Sequence, residues 1–331
     1  MQVCFLVSKA ISMDCTWTTV HLAVAALREG HTVGFLDRTD LSVEANGELR
    51  TRFSKFNDPG TTPEEMVQAL KSRRAARVSR PIDYFDSLFL RVRPFPDSLK
   101  TLMLLAREQG VCIFNDPIGL IRTSPKSWLA TLTDVSTPET LVTQRIAAGE
   151  LFFQQLGAVI VKPNTGSGGT SVARVSAHDY GAFQLAFHRA AQHGDGSVVI
   201  QSDVGKPHEP EKRLLWLDGE VVGGYQRARA PGEFRHNLKQ GGVPQSMNVS
   251  PLDRSLVAPL TPHLLTAGIR FAGIDLLCNH ILEVNVLNPG GTFYADRLNH
   301  TQLAQRIIHQ LVTGADPAPI PEKTKWVPHV P

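Results

Sequence analysis

Short apolar runs and amphipathic segments alternate along the first third of the chain. A continuous apolar run is typical of a strand that is covered on both faces. The pattern predicts strands at residues 3–7, 32–36, 87–92 and 111–114 and helices at residues 18–29 and 97–109. Gly30 and Gly110 follow these helices, where a left-handed cap would end them. The opening therefore resembles a βαβ unit of an open parallel sheet, and no GxGxxG motif follows its first strand, which argues against a dinucleotide fold.

The pattern changes after this opening. Residues 42–82 are more polar and less periodic, and one helix is expected there, near residues 63–77. Ser124 and Pro125 are typical of a helix start, as N-cap and first-turn residue. A small α+β lobe is then predicted, with strands at residues 139–142, 158–162, 172–175 and 198–201 and helices at residues 146–156 and 180–193.

The remaining chain suggests a third lobe and a tail. The third lobe mixes strands with a hairpin within residues 271–291 and a final helix at residues 301–312. The expected domains are residues 1–122, 123–203, 204–313 and 314–331. The last part is too rich in proline to form a core and is expected to be mobile.

Composition and charge narrow the class of protein. A chain of 331 residues is too long for one ordinary core, and no apolar run is long enough to span a bilayer. The net charge of +3 comes without a basic stripe, so neither nucleic acid nor a membrane is expected as a partner. The first residues lack the features of a signal peptide. Four scattered cysteines favour a reducing, cytoplasmic location.

A glycine-rich loop at residues 159–172, VIVKPNTGSGGTSV, is a candidate phosphate site. Its glycines let the backbone approach a ligand and turn N–H groups toward it. Lys162 precedes the glycines at a strand end, so the loop is not a Walker A motif. A strand–loop–strand flap of this kind could cover the phosphates of ATP. A flexible hairpin with a surface lysine explains the loop equally well.

The hairpin carries three oxygen-bearing side chains among apolar neighbours: Asp275, Glu283 and Asn285. A three-residue turn at residues 278–280 would place Asp275 opposite Glu283, whereas a two-residue turn would place them on opposite faces. Glu283 and Asn285 share a face because they are two residues apart. Two carboxylates and an amide suit Mg²⁺. An edge hairpin with solvated acids is the alternative, which the apolar neighbours disfavour. If the chain is an enzyme that uses this metal, Asp275→Asn is expected to abolish its turnover and leave the fold intact.

Residues 211–242 add positive charge between the loop and the hairpin. The predicted strands bring these side chains toward one region: Arg213, Arg229, Arg235, Asn237 and Lys239. Arginine can hold phosphate or carboxylate through two parallel hydrogen bonds. Arg229 could instead be a solvated loop residue, and for Lys239 that reading is preferred.

The order of these motifs resembles that of the ATP-grasp superfamily and, within it, of bacterial glutathione synthetases. The motifs are Lys126, KPNTGSGG (162–169), EKRLLWLDGE (211–220), FRHNLKQGG (234–242), GIDLL (273–277) and EVNVLNP (283–289). The resemblance implies an α/β protein with α+β lobes, in which an ATP-grasp fold follows an N-terminal open parallel-sheet domain (Rossmann-like, or pre-ATP-grasp).

The resemblance also implies roles for individual residues. The expected ATP contacts are Lys126, Lys162, Gly166, Ser167, Gly168, Gly169, Gln201, Ser202, Asp203, Val204 and Glu209. The expected metal ligands are Asp275, Glu283 and Asn285, for Mg²⁺ or alternatively Mn²⁺. Arg213, Arg235 and Asn237 match catalytic positions near the triphosphate and the acyl phosphate. Substrate contacts are expected from Arg235, Asn288, Gly290 and Gly291.

The implied activity is ATP-dependent ligation of a carboxylate to an amine through an acyl phosphate, with release of ADP. γ-Glutamylcysteine and glycine are the expected small-molecule substrates, and a homo-oligomer is expected. Two departures from the family pattern concern the substrate: residues 287–292, LNPGGT, replace a serine–proline pair, and Arg93 stands where an acidic residue is common. A related peptide or amino-acid ligase with another acid–amine pair therefore stays open. A catalytically silent ATP-binding protein is a third possibility.

Overall fold

The computed structural model describes residues 1–166, 168–206 and 208–314. Three β-sheets follow one another along the chain, with six, four and five strands, and helices cover their faces. The proline-rich segment expected to be mobile begins at the edge of this range, and residues 315–331 lie outside the described residues. Within the described ranges, no helix has both the length and the hydrophobicity to cross a bilayer.

The first sheet combines four parallel strands with two antiparallel ones. Its strands are β1 (Gln2–Val7), β2 (Thr32–Val43), β3 (Leu49–Phe56), β4 (Ala76–Pro81), β5 (Ser87–Arg91) and β6 (Cys112–Phe114). Its helices are α1 (Thr18–Arg28), α2 (Pro63–Lys71) and α3 (Asp97–Glu108). The order is β4-β3-β2-β1-β5-β6, and β2, β1, β5 and β6 run parallel, as predicted.

The polar segment at residues 42–82 belongs to this sheet, which the sequence pattern did not predict. Strand β2 continues past its buried half and pairs with β3, and β3 pairs with β4, both antiparallel. The expected helix is α2, which Thr62 and Glu65 cap reciprocally at its start. It ends at Lys71, six residues before the predicted end.

The second sheet forms a small lobe with four antiparallel strands in the order β7-β10-β8-β9. The helix α4 (Pro117–Thr123) packs against α3 and leads to this lobe, whose elements are α5 (Lys126–Ala130), β7 (Thr140–Thr143), α6 (Ile146–Leu156), β8 (Val159–Pro163), β9 (Ala173–Val175), α7 (Tyr180–His193) and β10 (Val198–Ser202). The predicted N-cap at Ser124 is wrong. Asp116 caps α4 through Ile118 N and Gly119 N, while Ser124 ends that helix and Pro125 precedes α5.

The third sheet is antiparallel, in the order β13-β12-β11-β14-β15. Its strands are β11 (Glu211–Leu217), β12 (Glu220–Ala228), β13 (Val243–Gln245), β14 (Phe271–Leu277) and β15 (His280–Asn285). Its helices are α8 (Pro251–Val257), α9 (Leu260–Thr266), α10 (Thr292–Asn299) and α11 (Leu303–Ile308), which a π turn (His309–Thr313) extends. The sequence pattern predicted the last helix but not α8, α9 and α10.

The third sheet is attached to the first through a shared core and one buried amide. Buried side chains of α1 and α11 belong to a single hydrophobic cluster. Asn115, just after β6, donates from Nδ2 to the carbonyl oxygens of Phe271 (2.7 Å) and Val286 (2.8 Å). Its Oδ1 accepts from the backbone N–H groups of Arg270 and Phe271. These bonds hold both ends of the β14–β15 hairpin against the N-terminal sheet.

Candidate active site

The β14–β15 hairpin places Asp275 opposite Glu283, as predicted, although the predicted three-residue turn is wrong. The turn has two residues, Cys278 and Asn279, with φ of 47° and 67°, as in a type I′ turn. A β-bulge restores the pairing, because Leu276 faces Ile281 while Asp275 faces Glu283. The bulge therefore brings the two carboxylates to one face despite the short turn.

Asp275 is a buried acceptor for three side chains. Its Oδ1 accepts from Arg213 Nε (2.5 Å) and Arg227 Nη2 (2.7 Å). Its Oδ2 accepts from Arg213 Nη2 (2.8 Å) and Asn285 Nδ2 (3.2 Å). Burial alone would raise the pKa of Asp275, but the two guanidinium groups outweigh it and lower that pKa to about 2. Asp275 is therefore ionised throughout the physiological range.

Glu283 lies beside two lysines. Lys126 Nζ is 3.3 Å from its Oε1. Lys162 is buried and donates to Gln201 Oε1 (2.7 Å) and to the carbonyl oxygen of Leu282 (3.3 Å). Burial lowers the pKa of Lys162 to about 8, although the charge of Glu283 partly opposes this. Burial would raise the pKa of Glu283, but the lysines keep it below its ordinary value.

The glycine loop packs against these groups and the arginine segment. Gly166, Gly168 and Gly169 have φ of 132°, 72° and 74°, which L-residues rarely adopt. Lys126 Nζ donates to the carbonyl oxygen of Gly166 (3.1 Å), and Arg235 Nη1 donates to that of Gly169 (3.1 Å). A Cβ on Gly169 would lie 2.8 Å from Asn237 Oδ1. The loop therefore closes over the site, and Ser167 falls outside the described residues.

Most of the predicted site residues meet in one cleft between the second and third sheets. The predicted residues that line it are Lys126, Lys162, Gly166, Gly168, Gly169, Gln201, Ser202, Asp203, Val204, Arg235, Asn237, Asp275 and Glu283. Arg213 reaches the cleft through Asp275. Glu209 lies outside the lining, and its carbonyl oxygen accepts from His236 Nε2 (3.0 Å). Apolar side chains such as Ile160 and Leu277 complete the walls.

A second cavity, of about 610 Å³, adjoins the cleft at Glu283. Asn285 and Leu287 line it from the third sheet, and Arg93 and Phe95 line it from the N-terminal sheet. Glu283 is thus common to the two spaces. A ligand in the first could meet a ligand in the second at this carboxylate.

The loop after β15 is held by α1 and Arg213. Arg213 Nη1 donates to the carbonyl oxygen of Gly290 (3.1 Å). Thr18 Oγ1 accepts from Gly291 N (2.9 Å) and Thr292 Oγ1 (2.9 Å). The N–H of Gly291 is therefore engaged within the protein. Asn288, Gly290 and Gly291 are not among the described residues that line the cleft or the second cavity, so the substrate contacts expected from this loop stay a prediction.

The sequence analysis missed Arg227, which is buried and pairs with both Glu211 and Asp275. Arg229, which the sequence analysis did name, lines the cleft and donates to the carbonyl oxygen of Lys206. The missed signal was alternation along β12. Tyr225 and Arg227 are both buried and two residues apart, so they share the inward face of the strand.

The oxygen donors on the hairpin fit a hard divalent cation. Within the described residues, no three acidic, histidine or cysteine side chains cluster tightly enough to form a metal site by themselves. The donor set consists of two ionised carboxylates and the amide of Asn285, which suits a cation that also takes phosphate and water oxygens. Among the described residues, the ion-pair contact of Glu283 is the one with Lys126, at 3.3 Å. The four hydrogen bonds of Asp275 mean that it would exchange at least one of them on binding the cation.

Comparison with known proteins identifies the family. Residues 1–121 match the family model "Prokaryotic glutathione synthetase, N-terminal domain", and residues 126–300 match "Prokaryotic glutathione synthetase, ATP-grasp domain". The chain is 31% identical to glutathione synthetase from Pseudomonas syringae pv. tomato over 82% of this chain and 84% of that protein. It is 27% identical to glutathione synthetase from Synechococcus elongatus over 94% of this chain and 98% of that protein.

Solved structures show the same fold at lower identity. The VanG D-Ala:D-Ser ligase from Enterococcus faecalis aligns with a TM-score of 0.64 at 13% identity, over 94% of this chain and 98% of that chain. Macrocyclase MdnB from Microcystis aeruginosa MRC aligns with a TM-score of 0.60 at 18% identity, over 94% and 99%. The chain therefore belongs to the prokaryotic glutathione synthetase family and is an ATP-dependent, amide-forming ligase with the ATP-grasp fold.

Proposed function

We propose that the cleft binds ATP with Mg²⁺, that the adjoining cavity binds the acid substrate, and that the enzyme joins γ-glutamylcysteine to glycine. The observation that carries this proposal is the position of Glu283. It borders both spaces and lies beside Lys126 and Lys162. The γ-phosphate of ATP and the acid's carboxylate would meet where positive charge is concentrated.

Asp275, Glu283 and Asn285 would hold the cation, which would screen the negative charge of the phosphates when bound. Mn²⁺ is the alternative to Mg²⁺. Lys126 and Lys162 would hold the phosphates from the side of the small lobe. Each is anchored by a protein acceptor, the carbonyl oxygen of Gly166 for Lys126 and Gln201 Oε1 for Lys162. Their ammonium groups are therefore positioned before ATP arrives.

The arginines would act on the acid's carboxylate and the acyl phosphate. Asp275 holds Arg213 in a bidentate pair, which fixes the plane of the guanidinium. Arg235 joins the glycine loop to Glu233, and Asn237 packs against Gly169. The acyl phosphate forms when the carboxylate attacks the γ-phosphorus and ADP leaves. The amine then attacks its carbonyl carbon, loses a proton and releases phosphate.

Closure of the glycine loop would exclude water from this intermediate. Gly166, Gly168 and Gly169 would contribute backbone contacts to the phosphates. Ser202 to Val204 line the cleft and would read the adenine through the backbone, with Glu209 near the ribose. Asn288 and Gly290 would contact the amine substrate, and Gly291 would shape their loop.

A different acid–amine pair is the second candidate. It is favoured by the LNPGGT loop at residues 287–292 and by Arg93, which both lie where substrate is expected. We further propose a cytoplasmic location, because the four cysteines are free thiols. We also propose a homo-oligomer, which is the assembly that the family resemblance implies. Light scattering of the purified protein would test the assembly.

The test is an ADP-release screen over paired acids and amines, with mass spectrometry of the products. γ-Glutamylcysteine and glycine together should release ADP in the presence of Mg²⁺, and either one alone should not. Glu283→Gln should abolish release, whereas Glu220→Gln, which alters an exposed carboxylate paired with Arg306, should not. ADP release only with other pairs would support the second candidate. Release that needs neither an acid nor an amine would contradict ligation.

A further inference from the structure

Arg93 presents a cation to the second cavity without a partner of its own. Its backbone is held by one hydroxyl group, because Ser8 Oγ accepts from Arg93 N (3.0 Å) and donates to Arg93 O (2.7 Å). Among the described residues, no acceptor lies within hydrogen-bond or ion-pair distance of its guanidinium. The side chain therefore has no visible structural task, although burial lowers its pKa.

A buried arginine, Arg91, lies close to Arg93 in the chain, on β5. Arg91 donates from Nε to Thr19 Oγ1 (3.0 Å) and has no carboxylate within ion-pair distance in the part of the chain that the structure describes. Burial and the neighbouring charge of Arg93 lower the pKa of Arg91 to about 9. Arg91 is buried and Arg93 is half-buried, and two neighbouring guanidinium groups with little access to water repel each other unless an anion lies between or beside them.

The rest of the cavity lining carries few charges. Lys100 borders the cavity but pairs with Asp97 (2.8 Å), His193 also borders it, and Glu283 is its only acidic lining residue among those described. Glu283 belongs to the β14–β15 hairpin, whereas Arg93 follows β5 of the N-terminal sheet. The two side chains come from different sheets, and their charges act on each other: Glu283 partly opposes the fall in the pKa of Arg93, and Arg93 helps to keep the pKa of Glu283 low. At about 610 Å³, the cavity has room for an acid much larger than its reacting carboxylate.

We infer that Arg93 determines specificity by binding a second carboxylate of the acid substrate, distinct from the carboxylate that is activated beside Glu283. The inference rests on the proposed function, whose acid, γ-glutamylcysteine, has two carboxylates, and it assigns recognition of the second one to Arg93. Recognition of the acid by Arg93 would require this second carboxylate and no ammonium group on the acid. Acids with a carboxylate at only one end would leave the Arg93 guanidinium unpaired.

Four acids that share the same acyl chain on cysteine separate the contribution of the second carboxylate from that of the ammonium group. Glycine is the amine in each case. γ-Glutamylcysteine has a remote carboxylate and an ammonium group, and glutarylcysteine keeps only the carboxylate. 4-Aminobutyrylcysteine keeps only the ammonium group, and butyrylcysteine has neither. Binding is measured by calorimetry with a non-hydrolysable ATP analogue, and kcat/KM by ADP release. The variants are Arg93→Ala, Arg93→Lys and, as the matched control, Arg145→Ala, which removes an exposed arginine outside the cavity.

Wild-type enzyme should prefer glutarylcysteine to butyrylcysteine by roughly 10- to 100-fold in both measurements, as expected for charge-assisted hydrogen bonds. Arg93→Ala should remove most of this preference, Arg93→Lys should keep part of it, and Arg145→Ala should keep all of it. An Arg93→Ala effect that is equal for both acids would overturn the inference, since Arg93 would then act on the reacting carboxylate. Absence of any preference in the wild type would overturn it as well.

The two proposals fail in different ways. ADP release at equal kcat/KM for glutarylcysteine and butyrylcysteine would leave the ligase in place and reject the role of Arg93. Arg93-dependent binding of the diacid without ADP release from any of the acids would support the role of Arg93 and reject the proposed substrates. If no acid binds, the inference is rejected.

Discussion

Asp275→Asn tests whether Asp275 is a structural acceptor as well as a candidate metal ligand. The substitution keeps the size of the side chain but removes its charge, while Arg213 and Arg227 stay buried beside it. It also replaces one acceptor oxygen with an N–H donor that faces guanidinium donors. From the sequence alone, the fold was expected to survive unchanged. The structure predicts that it will be destabilised.

The magnitude follows from two estimates. The fall in the pKa of Asp275 from 3.8 to about 2 corresponds to about 2 kcal/mol of interaction with the ionised form. Because this pKa is lowered, the stabilisation is present above pH 3.8 and is lost as the pH falls toward 2. Removing one partner of a buried ion pair costs more, about 3–5 kcal/mol, because the remaining charges stay buried. Whole proteins unfold at about 5–15 kcal/mol, so the variant should be clearly less stable.

Glu283→Gln is the matched comparison. Glu283 is also a candidate metal ligand, but its side chain is 28% exposed and its one ion pair, with Lys126, spans 3.3 Å. Its removal should cost less than the removal of Asp275, because its contact with Lys126 is longer and less buried than the four hydrogen bonds of Asp275. Both variants should lose ADP release, and only Asp275→Asn should also lose stability.

The assay is urea unfolding followed by circular dichroism, in parallel with ADP release. Asp275→Asn should unfold at a markedly lower urea concentration than Glu283→Gln, and Mg²⁺ and ATP should not restore it. If the two variants differ by less than about 1 kcal/mol in free energy of unfolding, the four hydrogen bonds of Asp275 do not contribute as the structure implies. An active Asp275→Asn enzyme would remove this residue from the metal site.

Three further predictions concern the groups around this carboxylate. Lys162, with a pKa of about 8, should take up close to one proton when ATP binds at pH 9, because phosphate favours its charged form. Calorimetry in two buffers of different ionisation enthalpy should then show different heats of binding. Equal heats would contradict proton uptake. Gln201→Leu should weaken ATP binding roughly tenfold, because the buried ammonium of Lys162 loses its acceptor, whereas Gln201→Glu should not. An unchanged ATP affinity in Gln201→Leu would show that the Lys162–Gln201 hydrogen bond has no part in binding. Gly291→Ala should destabilise the protein by about 1–3 kcal/mol, because its Cβ would lie 2.6 Å from Tyr225 at a φ of 117°. Gly290→Ala should be close to neutral, because the nearest atom to its Cβ would be 3.9 Å away. Thermal unfolding that fails to separate the two variants would refute the argument.

The metal hairpin shows what periodicity can and cannot predict. Asp275 and Glu283 were correctly expected to face each other, but through the wrong turn. Apolar alternation indicates which residues are buried. It does not show where a strand takes an extra residue. The bulge depends on how β15 fits against β14, which is a property of the folded pair rather than of either strand.

The missed strands β3 and β4 have a different cause. Strand β3 does alternate, with Leu49, Thr51 and Phe53 buried between more exposed residues, so a period-2 search over residues 49–56 would have found it. Strand β4 pairs with β3 at the edge of the sheet and is mostly exposed. Because an edge strand buries little, its sequence carries almost no hydrophobic signal.

The charges around the hairpin link the missed residue to the proposed chemistry. With Arg227 included, the cations Arg213, Arg227, Lys126 and Lys162 face the acids Asp275, Glu283 and Glu211, which leaves one positive charge in excess. An ATP–magnesium complex carries net negative charge and would reverse that sign. A carboxylate substrate entering afterwards would then be repelled from the cleft, unless its own wall supplied further cations. Arg93 supplies such a cation, because it lines the second cavity without an ion pair among the described residues, and Arg91 precedes it on β5. Their placement on the N-terminal sheet, away from the phosphates, would let the acid bind while ATP is already present.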